Sequence, residues 1–98
     1  MIITKTENET SMILELDGRL DTTTSKQLEE EVSSSFTGKT EVTMDFSKLV
    51  YVSSAGLRVI LSAQKIMNKQ GSMKIINVNE MVMEVFEITG FSDILTIE

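Results

Sequence analysis

The stretch Tyr51-Val52-Ser53-Ser54-Ala55-Gly56-Leu57-Arg58-Val59-Ile60 decides how the rest of this chain is interpreted. The apolar residues before the serines predict a buried strand, and the apolar spacing after them predicts a helix. We expect Ser54 to cap this helix and Ser53 to lie in the preceding turn. The first amides of a helix lack partners and the helix dipole is positive there. A hydroxyl at this point therefore lies where an oxyanion is favoured.

Outward from this stretch, strands and helices alternate along the chain. Alternating or continuous apolar residues predict strands at 2–6, 12–16, 40–46, 49–52, 73–78 and 94–97. Three helices are predicted after capping residues at 21–25, at Ser54 and at Asn79, and they end at Gly38, Gly71 and Gly90. Gly18 is expected to break the second strand. For the helix after Ser54, the predicted buried face consists of Leu57, Ile60, Leu61, Gln64 and Met67.

Taken together, these elements predict the fold class. The order is β-β-α-β-α-β-α-β, with 40–46 and 49–52 taken as parts of one region. Helices between successive strands act as crossover connections, so the sheet should be mostly parallel, with one deviant strand that makes it mixed. We therefore expect residues 1–98 to form a single domain, a small α/β sandwich.

Charge and composition restrict the possible partners and location. Fifteen acidic and nine basic side chains give a net charge of −6, and Lys and Arg form no cluster. We therefore expect neither nucleic acid nor an anionic membrane surface as a partner. The chain has no cysteine, and a basic stretch followed by an apolar run is missing from its first residues. A cytoplasmic monomer is the expected state.

The residue types that most often carry enzyme chemistry are missing or scattered. Histidine and cysteine are absent, and the five glycines do not form a phosphate-binding loop. We predict no catalytic residue, metal or cofactor. One enzymatic alternative is an aspartyl-phosphate acceptor that uses magnesium, because Asp17, Asp21 and Asp45 lie near predicted strand ends. Such a site needs a pair of acids after the first strand and a lysine after a later one, and neither is evident.

The two serines allow a structural and a functional interpretation. In the structural one, Ser54 satisfies a helix amide for about 1 kcal/mol, and Gly56 permits close packing of the helix against the sheet. In the functional one, a serine hydroxyl accepts phosphate. Phosphorylation adds roughly −1.5 to −2 charges at pH 7, which a helix N-terminus tolerates and a docked protein surface does not.

Around these serines, and over essentially its whole length, the chain resembles the anti-sigma factor antagonists, a family of small STAS domains. In that family an Asp-Ser-small-Gly-Leu element carries the phosphorylated serine. Alignment on Gly56-Leu57 places this serine at Ser54, with Ala55 as the small residue. Ser53 stands where the family often has Asp, so Ser53 is the alternative acceptor. The residues that carry the resemblance are Gly18-Arg19-Leu20-Asp21, Met44-Asp45-Phe46-Ser47-Lys48-Leu49, Tyr51-Val52-Ser53-Ser54-Ala55-Gly56-Leu57 and Thr89-Gly90-Phe91.

The resemblance implies regulation of transcription by partner switching. The unphosphorylated domain would bind an anti-sigma factor that is also a serine kinase and so free a sigma factor. Phosphorylation of the serine by that kinase would release the domain, and a serine phosphatase would reset it. The partner surface implied by the resemblance comprises Asp21, Thr22, Ser53, Ser54, Ala55, Gly56, Leu57 and Arg58. The alternative function is a STAS docking subunit of a transport or signalling assembly, with binding that ignores phosphate.

Overall fold

The computed structural model describes residues 1–98 and contains one four-stranded sheet and three helices. The strands follow the spatial order β1-β2-β3-β4; β1 is antiparallel to β2, and the other neighbouring pairs are parallel. The predicted mixed, mostly parallel sheet is therefore confirmed. The elements are β1 (Ile2–Glu7), β2 (Ser11–Leu20), α1 (Thr24–Ser35), β3 (Glu41–Val52), α2 (Ser54–Gln70), β4 (Ser72–Ile76), α3 (Glu80–Thr89) and a 3-10 turn (Phe91–Asp93).

The hydrophobic core lies between one face of this sheet and the helices. Alternate strand residues are buried, while the residues between them are exposed or half-buried, so only one face of the sheet is covered. Phe46 of β3 meets Phe86 of α3 with 6.4 Å between ring centroids. The result is the predicted two-layer α/β sandwich. The buried sheet residues are Met12, Leu14, Leu16, Leu20, Val42, Met44, Phe46, Leu49, Val52, Met73 and Ile75.

The final strand predicted at 94–97 is reduced to a single bridge. Phe91–Asp93 form the 3-10 turn instead, and Leu95 turns into the core. Only Ile97 pairs with Ile75 in parallel, through bonds made by the flanking backbone groups. The amides of Ile94 and Leu95 donate to the carbonyl of Phe91 within the turn, at 3.0 and 2.9 Å, so they do not pair with β4.

The second and third strands are longer than predicted, because irregular pairing lets them continue. Gly18 lies inside β2 with φ +117°, a value that favours glycine, and it does not end the strand. Register shifts occur on both sides of it, so β3 runs unbroken from Glu41 to Val52. Past these shifts Leu20 pairs with Val52, and the two parallel strands end side by side.

Helix α2 covers the centre of the sheet with a face slightly different from the predicted one. Ile60 and Met67 are fully buried, as expected, but Leu61 is only half-buried. Val59 and Ala63 are buried in addition. The predicted face was therefore rotated by part of a turn. None of the three helices combines the length and the apolar character needed to cross a membrane.

Candidate functional site

The end of β2 and the beginning of α2 meet at one edge of the sheet. The amide of Ser53 donates to the carbonyl of Leu20 over 2.8 Å. A Cβ on Gly56 would lie 2.7 Å from Cγ of Leu20 and 3.0 Å from its carbonyl oxygen. Only a residue without a side chain lets the helix approach this closely, so Gly56 holds the first turn of α2 against β2. The predicted packing role of Gly56 is confirmed.

The prediction that Ser54 is the N-cap of α2 is wrong. Ser53, not Ser54, is the N-cap: its backbone is extended and its Oγ accepts from the amide of Gly56 over 3.2 Å. The extended conformation of Ser53 follows from its bond to Leu20, which continues the strand pairing for one more residue. Ser54 is the first helical residue, its side chain is exposed, and its hydroxyl makes no hydrogen bond. Only one of the two hydroxyls is therefore free.

Around Ser54 the backbone of α2 presents unpaired donors. The amides of Gly56 and Leu57 are taken by the side chain and the carbonyl of Ser53. The amides of Ser54 and Ala55 have no protein partner, and the first turn contains no acidic residue. The positive end of the helix dipole is thus left without a counter-charge.

Asp21 follows β2 directly and begins the loop beside this helix end. Its Oδ1 accepts from the amides of Thr23 and Thr24 at 3.0 and 2.9 Å, and so caps the start of α1. The bond from the Thr24 amide, supported by the Thr24 hydroxyl and the Thr23 amide, lowers the pKa of Asp21 although desolvation opposes it. The carboxylate is a fixed negative charge with Oδ2 unengaged.

A shallow groove lies between α2 on one side and α1 with its preceding loop on the other. Thr22 lies on one side, and Ala55 and Arg58 lie on the other. Gly56 and Leu57 are buried, so they shape the helix end and offer almost no surface of their own. The groove is completed by Ser25, Lys26, Glu29, Val59 and Ser62.

Two features of the site were not identified from the sequence. Arg19 and Tyr51 pair across β2 and β3, and the guanidinium carbon lies 4.1 Å from the ring centroid. This cation–π contact occupies one of the two arginines near the serines. Lys26 on α1 faces the groove opposite Arg58. The pairing of Arg19 with Tyr51 follows from the register between β2 and β3, which could not be read from the sequence because of the bulges in this pair of strands.

The remaining acidic residues do not assemble a second site. Desolvation raises the pKa of Asp45, but bonds from the Ser47 amide and the Asn77 side chain outweigh it and hold the pKa low. Glu15 pairs with Lys48 at 3.3 Å. No group of three acidic side chains is arranged to hold a metal ion.

The sequence matches the model of one protein family, described as the STAS domain, over residues 2–98. A protein of Bordetella bronchiseptica named as an anti-sigma factor antagonist, BtrV, is 34% identical over 99 residues, covering 99% of this chain and 85% of that protein. The anti-sigma-B factor antagonist of Bacillus subtilis is 28% identical over 92 residues, covering 93% and 84%. Both proteins are named for antagonism of another protein and not for a reaction. This agrees with the prediction that the chain is not an enzyme.

Solved structures with the same fold include SpoIIAA of Bacillus in two forms. The unphosphorylated and phosphorylated forms each superpose with a TM-score of 0.77 at 17% identity, over 99% of this chain and 87% and 91% of those chains. An anti-sigma factor antagonist from Mycobacterium paratuberculosis gives a TM-score of 0.87 at 13% identity, over 98% of this chain and 83% of the other. At such low identity these similarities establish the fold.

Proposed function

Because the chain belongs to the STAS domain family, we propose that it is an anti-sigma factor antagonist whose binding is controlled by phosphorylation of Ser54. The relatives that match nearly its whole length carry the name of that activity. We take residues 1–98 to act as one STAS domain, as a monomer in the cytoplasm. The proposed partners are an anti-sigma factor with serine-kinase activity and a serine phosphatase.

The observation that carries this proposal is the difference between the two hydroxyls. Ser54 is exposed and its hydroxyl has no partner, whereas the Ser53 hydroxyl is half-buried and bonded to Gly56. Modification of Ser53 would remove the side-chain cap of α2, which is worth about 1 kcal/mol. Modification of Ser54 would disturb no existing contact. Ser54 is therefore the acceptor we propose.

The chemistry follows from what the chain contains and what it lacks. Oγ of Ser54 attacks the γ-phosphorus of ATP held by the kinase, forming an O–P bond while the bond to the β-phosphate oxygen breaks and ADP departs. The serine proton passes to a base of the kinase, since this chain has no histidine. The phosphatase reverses the modification by adding water across the O–P bond, which restores the hydroxyl and releases inorganic phosphate.

The partner surface in this proposal surrounds Ser54. Exposed Arg58 and half-buried Ala55 on α2 face exposed Thr22 across the groove, and half-buried Asp21 precedes Thr22 in the loop. To convert a 10:1 bound ratio into 1:10, the phosphate must weaken binding by only about 2.7 kcal/mol. A phosphate that must lose its water to enter an interface is able to supply that amount.

Peptide mass mapping after incubation with the cognate kinase and ATP tests the acceptor directly. We expect one phosphate on the peptide that contains Ser54, loss of labelling in Ser54→Ala, and retained labelling in Ser53→Ala. Labelling of Ser53 alone would refute the assignment of the residue. Absence of phosphate from both serines, with an active kinase, would refute the proposed regulation.

A further inference from the structure

Arg58 lies one helical turn after Ser54 and has no charged partner. Residues four apart on a helix are neighbours, and side chains lean toward the helix N-terminus, so the Arg58 guanidinium is within reach of Ser54. The four ion pairs of the molecule all involve lysines. Arg58 is exposed, and Glu29 in the same groove does not come within ion-pair distance of it.

This position is unfavourable for a cation in the unmodified protein. The positive end of the dipole of α2 and the guanidinium repel one another, and no acidic residue of the first turn separates them. The other arginine nearby, Arg19, lies against the ring of Tyr51. Arg58 is thus an unpaired guanidinium next to the proposed acceptor, on a chain with net charge −6.

We propose that Arg58 is the intramolecular counter-ion for a phosphate on Ser54. This inference rests on the proposed function and adds to it the residue that receives the phosphate. A guanidinium presents two parallel N–H donors that match two phosphate oxygens, and the free amides of Ser54 and Ala55 lie on the same turn. Capture by the phosphate also withdraws Arg58 from the surface offered to a partner.

The test uses full-length chain with phosphoserine incorporated genetically at position 54, so that no kinase is required. Phosphorus NMR then follows the second ionisation of the phosphate during a pH titration. The charged groups around the first turn of α2 are Arg19, Asp21, Lys26, Glu29 and Arg58. The titration therefore compares wild type with Arg58→Gln, Arg58→Lys and Lys26→Gln. Lys65→Gln is the control, because Lys65 is exposed on α2 about three turns from Ser54.

We expect the phosphate of the wild-type chain to titrate about half a pH unit below that of Arg58→Gln, with Lys65→Gln equal to wild type. Arg58→Lys should recover part of the difference, because an ammonium supplies charge without the two-donor fork. Equal titration in wild type and Arg58→Gln would overturn the inference. So would a shift confined to Lys26→Gln. Neither result depends on whether a kinase modifies Ser54, so a failure here is distinct from a failure of the proposed function.

Discussion

Helices α2 and α3 have the same N-cap geometry but differ in the charge of their first helical residue. Each has an extended N-cap whose side-chain oxygen accepts from the third amide after it: Ser53 from Gly56 in α2, Asn79 from Val82 in α3. The first helical residue is Ser54 in α2 and Glu80 in α3. The charge that a helix N-terminus favours is permanent in α3. In α2 the same position carries a hydroxyl.

In the function we propose, this difference makes a regulatory site out of an ordinary helix N-terminus. Both helix ends are held in place without the first residue, because the N-cap and the strand contacts fix them. The first residue of α2 is therefore free to be neutral or charged while the backbone stays the same. The two helix ends can be compared experimentally at their packing, their caps and their charges.

The largest effect on stability is expected where α2 touches β2. Gly56→Ala places a methyl group against Leu20 and its carbonyl, and we expect it to lower the free energy of unfolding by about 1–3 kcal/mol. Urea unfolding followed by circular dichroism measures this change. An unchanged midpoint would mean that α2 does not depend on close approach to β2.

Removal of each N-cap side chain should lower the free energy of unfolding by an amount that differs between the two helices. Asn79→Ala removes the bond to Val82 and a second bond from Nδ2 to the carbonyl of Leu49, so we expect a loss of about 2 kcal/mol. Ser53→Ala removes one cap bond, with an expected loss of about 1 kcal/mol. The same urea experiment ranks the two variants. A greater loss for Ser53→Ala would contradict the roles assigned to the two side chains.

Changing the charge of the first helical residue should shift the free energy of unfolding in opposite directions in α2 and α3, by less than about 1 kcal/mol each. Ser54→Glu adds a negative charge at the start of α2 and should stabilise the protein, with Ser54→Gln as the neutral control. Glu80→Gln removes the charge from α3 and should destabilise it. Both effects should shrink in high salt. Destabilisation by Ser54→Glu would show that the start of α2 does not accept an anion.

The smallest effect concerns acid stability at Asp21. The folded protein lowers the pKa of this carboxyl from its ordinary value of 3.8, so its contribution to stability is complete only above about pH 5 and disappears as the pH falls through the folded pKa. Asp21→Asn should therefore be less stable than wild type at neutral pH, and the difference should decrease as the pH falls below about 5. Thermal melts at several pH values measure this, and a constant difference would contradict the assigned pKa direction.

The sequence predicted most of the fold and the position of the two serines at the start of α2, for physical reasons. Apolar periodicity placed every helix and the first four strands, because burial of one face is what selects these elements. Two adjacent hydroxyls are chemically equivalent as caps, so sequence could not decide between Ser53 and Ser54. The bond from the Ser53 amide to Leu20 decided it, and that bond depends on bulges near Gly18 that have no periodic signature. Lys26 in the groove was missed for a different reason, because its place depends on how α1 packs beside α2.

The central claim is that the charge on Ser54 controls binding, and one affinity measurement tests it most directly. The cognate anti-sigma factor kinase is titrated calorimetrically with the unphosphorylated chain and, separately, with the chain that carries phosphoserine at position 54. Both titrations contain ADP and no ATP, so that no phosphate is transferred. We predict that the phosphate raises the dissociation constant about 100-fold, which corresponds to a loss of about 2.7 kcal/mol of binding free energy. Equal affinities for the two forms would contradict the account and favour a STAS subunit that stays docked whatever the state of Ser54.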